Sequence, residues 1–280
     1  MKIKVMSDST CDLSAELLAD YDITLAPLTV IKADEQFQDG VTITPADIFD
    51  HVANGGALCS TAAVSIGDYA DLFEKYSQEY DGVIHISLGS GFSACYQNAT
   101  LAAEDFPNVR IIDSQNLTTG QGLVVLKACE LAKTATDLDA LAEELRAYTE
   151  KIEASFLVDK LDYLVKGGRC SSAAALGANL LNLKPCIEVR NGKMGVVKKY
   201  RGNYTKSLAS YVKERLEGRE DIDRSTLFLT KTVVSDDCYA TVLDTIRSCG
   251  DFEHVYETTA GCTVSCHCGP GTLGVIFVRK

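Results

Sequence analysis

The sequence predicts an α/β protein with two domains, and three observations support this fold class. The first half alternates short, almost continuously apolar strands with helical segments, which is typical of a parallel sheet covered on both faces. The second half has a hairpin signal at Asn191-Gly192, which together with helices indicates a mixed sheet. The length of 280 residues fits one large or two medium domains. We place the boundary near Ile152, which gives domains at residues 1–152 and 153–280.

The first half contains four segments with strand character, each followed by a helical pattern or a loop. One helix start is especially clear, because Thr44 is a typical N-cap with Pro45 at the first helical position and Asp47 at the third. The predicted strands are Ile3–Asp8, Thr24–Lys32, Gly82–Leu88 and Val109–Ser114, and the predicted helices include 66–80, 93–106, 120–133 and 137–152.

The second half has a different order of elements. A strand at Ala154–Lys160 is followed by a helix of small residues at Ser171–Asn182 and by the hairpin at Pro185–Gly202. Two further helices, at 204–218 and 237–249, flank a strand at 226–233, and a last strand occupies 272–280. This pattern predicts a sheet with helices packed against it.

Composition and charge exclude several classes of protein. The net charge of −12 argues against a general nucleic-acid binder. We find no apolar run of the roughly 20 residues needed to span a membrane, and no secretory signal, so we expect a cytoplasmic protein. We expect the eleven cysteines to be reduced and mostly buried.

Four hydroxyl-rich segments follow predicted strands. They are "SDST" (Ser7–Thr10), "CST" (Cys59–Thr61), "LGSGFS" (Leu88–Ser93) and "DSQNLTTG" (Asp113–Gly120). Because ligands of doubly wound sheets bind beyond the carboxyl ends of the strands, these loops predict a shared site for a carboxylate or a phosphate. The alternative is that the serines and threonines only cap helices.

Known catalytic motifs are absent from the sequence. It contains no G-x-G-x-x-G, no P-loop and no G-x-S-x-G elbow. Three histidines, His51, His85 and His254, fall in or near regular elements and favour structural roles. His267 falls in a predicted Gly/Pro-rich turn before the last strand, where a side chain can face a crevice.

The ordered set of motifs resembles the DegV family, bacterial fatty-acid-binding proteins that include FakB-type subunits of fatty acid kinase. The resemblance covers essentially the whole chain and is carried, in order, by "SDST", the Thr61 segment, "SGFSACYQNA", "IIDSQNLTTGQGLVV", "YLVKGGR", "NLLNLKP", "YRG" and "HCGPG". It implies an N-terminal α/β/α domain and a C-terminal two-layer domain with a mixed sheet. It also implies one long-chain fatty acid buried between the domains, with its carboxyl at the strand-end loops.

The resemblance assigns two residues to the fatty-acid carboxylate. Thr61 matches the family's carboxylate-binding threonine, although Ala62-Ala63-Val64 replaces the family's polar residues after it. Ser93 matches the carboxylate-binding serine, with Ala94 and Cys95 in place of the family's Gly and Thr.

The resemblance also identifies basic residues near the head group or at the partner's docking surface, namely Arg169, Arg201 and His267. The implied partner is the ATP-binding subunit of a fatty acid kinase, to which the bound carboxyl is presented for acyl-phosphate formation. The chain itself has no residue set suited to activating ATP, so we expect no catalytic residue, no metal and no cofactor besides the fatty acid. Apolar lining is available at 173–183 and 120–126. We expect no membrane span, and a transient membrane contact remains open.

Three other interpretations of these residues stay open. Ser93 and His267 are the residue types of an acyl hydrolase or transferase, if they lie within hydrogen-bonding distance. "GCTVSCHC" holds thiol and imidazole ligands for zinc at a poor spacing, with Cys262, Cys266, His267 and Cys268. The basic segment Val196–Lys206 fits either a partner-docking patch or a solvated hairpin edge.

Overall fold

The computed structural model describes residues 1–175 and 183–280, and these residues form two compact units. The first unit contains Met1–Glu150 together with Gly261–Val264, and the second contains Lys151–Ala260 and Ser265–Lys280. The short stretch at Gly261–Val264 is far in sequence from the rest of the first unit, and the sequence analysis did not assign it there.

A four-stranded parallel sheet, with strand order β2-β1-β6-β7, is the centre of the first unit. A separate three-stranded antiparallel sheet has the order β4-β3-β5. In chain order the strands are β1 (Ile3–Asp8), β2 (Thr24–Ala26), β3 (Thr29–Lys32), β4 (Glu35–Gln38), β5 (Ser60–Ala62), β6 (Gly82–Ser87) and β7 (Val109–Asp113).

Helices cover both faces of the parallel sheet. All six residues of β6 are buried, which requires a covering layer on each side. Helices α3 and α4 pack together and contact β6, while α5 and α6 pack together and contact β1, β6 and β7. The helices are α1 (Ala15–Asp20), α2 (Pro45–Ala53), α3 (Ile66–Glu79), α4 (Cys95–Ala103), α5 (Thr118–Ala132) and α6 (Leu138–Thr149). The predicted α/β class with a parallel sheet in this half is confirmed.

Two predictions in this region are wrong. The extended segment predicted over Thr24–Lys32 is divided, since β2 belongs to the parallel sheet and β3 to the small antiparallel sheet. The division falls at Pro27, which has no amide hydrogen to donate to a strand ladder. The Cys59–Thr61 segment is not a loop that follows a strand of the parallel sheet. Its last two residues lie in β5, which pairs with β3.

The predicted start of α2 is confirmed in detail. The Thr44 side chain accepts a hydrogen bond from the Asp47 amide, and the Asp47 carboxylate accepts one from the Thr44 amide. This capping box satisfies two donors that the first helical turn leaves unpaired, and Pro45 needs no partner because it lacks an amide hydrogen.

The second unit is built on a mixed sheet with strand order β10-β9-β8-β13-β11-β12. The β11–β12 pair is parallel and the other pairs are antiparallel. The strands are β8 (Ile152–Val158), β9 (Leu183–Arg190), β10 (Lys193–Arg201), β11 (Ile222–Lys231), β12 (His254–Thr259) and β13 (Thr272–Arg279). The mixed sheet predicted for this half is confirmed.

The predicted hairpin is formed by β9 and β10. Asn191 and Gly192 occupy its turn with φ angles of 51° and 68°, the left-handed conformation that a type I′ turn requires at both central positions. Asn and Gly adopt this conformation more readily than other residues, so this local signal is sufficient to place the turn.

Helices of the second unit are α7 (Asp162–Gly167), α8 (Ser171–Ala174), α9 (Tyr204–Leu216) and α10 (Asp236–Ser248), and α11 (Cys262–Cys268) begins in the first unit. Helices α9 and α10 pack together, and their apolar residues form one core with Leu157, Leu229 and Phe277 of the sheet. Of the helix predicted at Ser171–Asn182, the structure shows Ser171–Ala174, and residues 176–182 lie outside the described residues. His267 lies in α11 and not in the turn predicted for it.

The buried Tyr211 hydroxyl joins α9 to two strands of the sheet. It donates to the Ser155 carbonyl at 2.6 Å and accepts from the Val275 amide at 3.1 Å. The Ser155 hydroxyl lies 2.9 Å away. Since these groups are out of contact with water, they depend on partners within the protein, and the phenol oxygen is one of them.

Removing this hydroxyl should therefore destabilise the protein. We expect Tyr211→Phe to lower the free energy of unfolding by about 1–3 kcal/mol, because it removes buried hydrogen bonds to Ser155 and Val275. Urea unfolding measures the change. The control is Tyr200→Phe, whose hydroxyl donates to Glu214 at a more exposed position and whose loss should cost less than about 1 kcal/mol. Equal effects of the two substitutions would contradict the role assigned to Tyr211.

Candidate functional site

The carboxyl edge of the parallel sheet is organised by a fully buried carboxylate. Asp8, the last residue of β1, accepts hydrogen bonds from the Tyr69 hydroxyl at 2.5 Å and from the Leu88 amide at 2.7 Å. The Ser87 hydroxyl donates at 3.0 Å, and His85 Nε2 lies at 3.1 Å. Burial and the nearby negative charge of Asp8 raise the pKa of Tyr69 well above its ordinary value, so Tyr69 stays protonated and donates.

Cys95 and Ser93 lie beside this carboxylate, at the start of α4. The Ser93 hydroxyl donates to Cys95 Sγ at 3.1 Å and accepts from the Cys95 amide at 3.2 Å. Burial and then the charge of Asp8 raise the pKa of Cys95 to about 12, and hydrogen bonds from the Ser93 side chain and the Val64 backbone act in the opposite direction. The thiol is therefore protonated at neutral pH. Ser93 itself is half-buried.

The segment that carries Thr61 is tied to the same helix. Thr61 is half-buried in β5 and is paired with Val30 of β3. Three residues later, the Val64 carbonyl accepts a hydrogen bond from the Asn98 side chain of α4 at 2.8 Å. This hydrogen bond ties the segment after Thr61 to helix α4, which begins two residues after Ser93. Sequence reasoning missed Asn98, which lies within the quoted motif "SGFSACYQNA".

Most other hydroxyls of the hydroxyl-rich segments donate hydrogen bonds to carboxylates, carbonyls or amides within the protein. Ser90 donates to Asp113 at 2.6 Å, and Thr118 donates to Asp12 at 2.6 Å. Further internal hydrogen bonds are made by Ser7 to the Ile86 carbonyl, Ser9 to Asp39, Thr10 to Gln121 and Ser114 to the Asn116 carbonyl. The hydroxyls of these segments therefore differ in their partners, although the sequence pattern treats them alike.

Glycine is required at position 89, in the loop that follows β6. A Cβ atom at Gly89 would lie 3.0 Å from both the amide nitrogen and the carbonyl oxygen of Asn116. The Gly89 amide donates to that carbonyl at 2.8 Å, so the loops after β6 and β7 are joined backbone to backbone. This close approach explains the glycine at the start of "GSGFS" without any role in binding phosphate.

The buried Asp39 carboxylate holds the Gly261–Val264 stretch in the first unit, and the buried Asp12 lies close to it. Asp39 accepts hydrogen bonds from the amides of Cys262 at 2.9 Å and Thr263 at 3.2 Å. Asp12 accepts from Thr118, and a Cβ atom at Gly261 would lie 2.7 Å from Asp12 Oδ1. Burial, with a smaller contribution from the charge of Asp39, raises the pKa of Asp12 to about 8. Asp12 is therefore mostly protonated at neutral pH.

The basic residues predicted near the head group all lie in the second unit, and two of them are neighbours. Arg169 is exposed just after α7 and donates to the Gly167 carbonyl at 2.7 Å. Burial, and then the positive charge of Arg169, lower the pKa of His267 to about 4, so the imidazole is neutral at pH 7. A Cβ atom at Gly167 would lie 2.5 Å from His267 Nδ1, so the absence of a side chain there gives the imidazole room. Arg201 is exposed at the end of β10.

The cysteines of "GCTVSCHC" are buried in α11 and do not form a metal centre within the described residues. No group of three or more His, Cys, Asp or Glu side chains converges within residues 1–175 and 183–280. Cys262 Sγ donates to the Ile43 carbonyl at 3.2 Å, which is a packing role. All eleven cysteines are free thiols.

The segment Val196–Lys206 lies largely in β10, at the edge of the mixed sheet. Lys198 pairs with Glu214 at 2.6 Å, and Tyr200 donates to the same carboxylate. Lysines at an edge strand oppose pairing with another chain, which fits the solvated hairpin edge. In the part of the chain that the structure describes, no helix is long and apolar enough to cross a membrane.

These features define a class of protein: a two-unit α/β chain with hydroxyl donors at the carboxyl edge of a parallel sheet and basic residues in a mixed-sheet unit. The family model described as "Uncharacterised protein, DegV family" matches residues 2–280. The chain belongs to the DegV family.

Relatives and solved structures match the chain over its full length. A DegV domain-containing protein of Clostridium perfringens is 30% identical, covering 100% of this chain and 99% of the relative. A solved structure described as fatty-acid binding of a DegV family protein from Thermus thermophilus is 29% identical, with a TM-score of 0.90 and full coverage of both chains. The structure of DegV from Bacillus subtilis, described as a fatty-acid-binding protein, is 26% identical with a TM-score of 0.84, again over both full chains.

Asp12 generates a prediction about pH. Because the pKa of Asp12 is about 8 in the folded protein and near its ordinary value of 3.8 when unfolded, its stabilising contribution is complete below about pH 4 and falls as pH rises to about 8. Asp12→Asn removes this titration and keeps a side chain that tolerates the left-handed backbone at this position, where φ is 49°. We expect the stability of the variant relative to wild type to rise with pH, by about 1 kcal/mol per pH unit between pH 5 and pH 8.

Urea unfolding of both proteins across this pH range measures the difference. Asp34→Asn is the matched control, because Asp34 also has a left-handed backbone, with φ of 68°, but is exposed. A difference between Asp12→Asn and wild type that does not change with pH would show that Asp12 is ionised in the folded protein.

Proposed function

We propose that this protein binds one long-chain fatty acid and that the hydroxyls of Thr61 and Ser93 hold its carboxylate. The observation that carries the proposal is the hydrogen bond from Ser93 Oγ to Cys95 Sγ. A thiol sulfur is a weak acceptor, whereas a carboxylate oxygen is a strong one, so a fatty acid can take over this hydrogen at little cost. Other hydroxyls of the hydroxyl-rich segments already donate to carboxylates or carbonyls, for example Ser90 to Asp113.

The comparisons support the same ligand class. The Thermus thermophilus and Bacillus subtilis proteins, both described as fatty-acid-binding, match this chain over its whole length at 29% and 26% identity. Burial of an acyl chain contributes about 0.8 kcal/mol per CH₂, so the tail would supply most of the affinity. Hydroxyl donors would then need only to orient the carboxylate.

We also propose that the chain performs no chemistry on the fatty acid and presents its carboxyl to the ATP-binding subunit of a fatty acid kinase in the cytoplasm. Arg169 and Arg201 are exposed, and a guanidinium can stabilise the negative charge of a transferring phosphoryl group. His267, neutral because its pKa is about 4, lies beside Arg169 and can donate or accept a hydrogen bond without adding charge.

An acyl hydrolase or transferase has less support. A serine nucleophile requires a base that accepts its proton, and an imidazole is the usual one. Here the Ser93 hydrogen is directed to Cys95 Sγ, a protonated thiol with a raised pKa, which cannot act as that base. The local geometry of Ser93 therefore favours holding an anion over attacking an ester.

The first test of the proposed function is fatty-acid affinity. The purified protein, after delipidation, should bind one equivalent of oleic acid, and Thr61→Ala/Ser93→Ala should weaken that binding by at least about tenfold per hydroxyl, since hydrogen bonds to a charged group contribute about 1.5–3 kcal/mol each. Calorimetry gives the affinity, and mass spectrometry of the untreated protein identifies the acyl chain that it carries.

Ser90→Ala is the matched control for this test. It removes a hydroxyl from the same loop, but one that donates to Asp113, so the affinity should stay within about twofold of wild type. Failure of the wild-type protein to bind any long-chain acid would overturn the proposed function. Unchanged affinity in the double variant would place the carboxylate elsewhere.

The second test separates binding from transfer. With ATP, Mg²⁺ and oleic acid the protein alone should form no acyl phosphate, and with a fatty acid kinase ATP-binding subunit it should support its formation. Arg201→Ala and His267→Ala should each lower kinase-dependent turnover about tenfold or more and leave fatty-acid affinity within a few-fold. Arg146→Ala, which removes an exposed arginine from α6, should change neither quantity. A parallel loss of affinity and turnover in Arg201→Ala or His267→Ala would show that the residue holds the head group and does not serve the partner.

A further inference from the structure

Cys95 lies between a fixed negative charge and the hydroxyl proposed to hold the carboxylate. Asp8 has no exposed surface and, as a carboxylate, can only accept hydrogen bonds. The Tyr69 hydroxyl must therefore point its hydrogen at Asp8, and its remaining lone pairs are left for other donors. One neighbour of that hydroxyl is the Cys95 side chain, on which the charge of Asp8 also acts.

The backbone of Cys95 fixes the direction of the hydrogen bond between Ser93 and Cys95. The Cys95 thiol is protonated and neutral, so its sulfur is a weak acceptor. Its sulfur lone pairs remain for the Ser93 hydroxyl, which donates at 3.1 Å, while the Cys95 amide donates to Ser93 Oγ at 3.2 Å. Both hydrogen bonds of Ser93 Oγ are thus made to one residue, through its backbone and its side chain.

We propose that Cys95 is a positioning residue that sets fatty-acid affinity. Its sulfur is a weak acceptor for the Ser93 hydroxyl, and the fatty-acid carboxylate replaces it on binding. The proposal rests on the proposed function and adds a determinant of affinity to it. Binding exchanges an O–H···S bond for an O–H···O⁻ bond, and the free energy of that exchange depends on how well position 95 accepts in the empty protein. No covalent or redox step is involved, and the backbone amide of residue 95 keeps Ser93 Oγ in place in either state.

Two substitutions at position 95 change the acceptor in opposite directions. Cys95→Ser supplies a stronger acceptor of similar size, so the fatty acid must displace a better hydrogen bond, and oleic-acid affinity should fall about three- to tenfold. Cys95→Ala removes the acceptor and leaves the Ser93 hydroxyl unpaired until the ligand arrives, so affinity should equal or exceed that of wild type. Calorimetry on the delipidated proteins measures both changes.

The decisive measurement repeats both substitutions in the Ser93→Ala background. If Cys95 acts through Ser93, neither substitution should change affinity by more than about 1.5-fold there, because the hydroxyl that it positions is gone. A purely structural role of Cys95 would not give this dependence on Ser93. Cys129→Ser is the matched control, since Cys129 is also a buried helical cysteine of the first unit with a pKa of about 12, and its replacement should leave affinity unchanged in both backgrounds.

Each other outcome overturns the inference. If Cys95→Ser lowers fatty-acid affinity equally in the wild-type and Ser93→Ala backgrounds, the substitution distorts the site. If affinity rises in both backgrounds, residue 95 contacts the fatty acid directly. No change in affinity from Cys95→Ser in either background would mean that the hydrogen bond to sulfur does not matter for binding. Wild-type protein that binds no fatty acid would overturn the proposed function and, with it, this inference.

Discussion

The buried Asp8 carboxylate is the interaction on which the carboxyl edge of the parallel sheet depends. An isolated charge without solvent contact is very unfavourable, so its position demands several strong donors. Tyr69, Ser87 and the Leu88 amide supply them, with His85 at a similar distance. These donors come from α3, from β6 and from the loop after it, so one charge fixes where three parts of the chain meet. The loop that carries the proposed carboxylate ligand starts at this point.

Local signals were sufficient for much of the fold. The capping box at Thr44 and the hairpin turn at Asn191-Gly192 depend on residues that are adjacent in sequence, and the apolar strand at Gly82–Ser87 needs only its own pattern. The small sheet of β3, β4 and β5 was not predicted, because strands of three or four residues with mixed exposure carry no readable periodicity. The attachment of Gly261–Val264 to the first unit depends on Asp39, more than 200 residues earlier in the chain.

The site could be predicted from sequence only at the level of segments. Ser90 and Ser93 stand in one short motif and are chemically identical, yet Ser90 donates to Asp113 and Ser93 to Cys95. The two serines differ because the end of β7 brings Asp113 close to Ser90, whereas the start of α4 brings Cys95 close to Ser93. A sequence pattern does not predict these distances. The family resemblance selected Ser93 where residue chemistry alone could not, but it carried no information on Tyr69 or Asp8 as its supports.

Asp8 and Tyr69 also limit how strongly the site would bind the carboxylate of a fatty acid. On the proposed function, the ligand's charge enters near the charge of Asp8, separated from it by Tyr69, Cys95 and Ser93. The hydrogen-bond donors around Asp8 partly offset its negative charge. The remaining charge still repels a second carboxylate nearby. Neutral hydroxyls then bind the carboxylate less strongly than a guanidinium would, and the acyl chain supplies the remaining affinity. On the proposed function, a head group bound in this way is well oriented and can be presented to a partner.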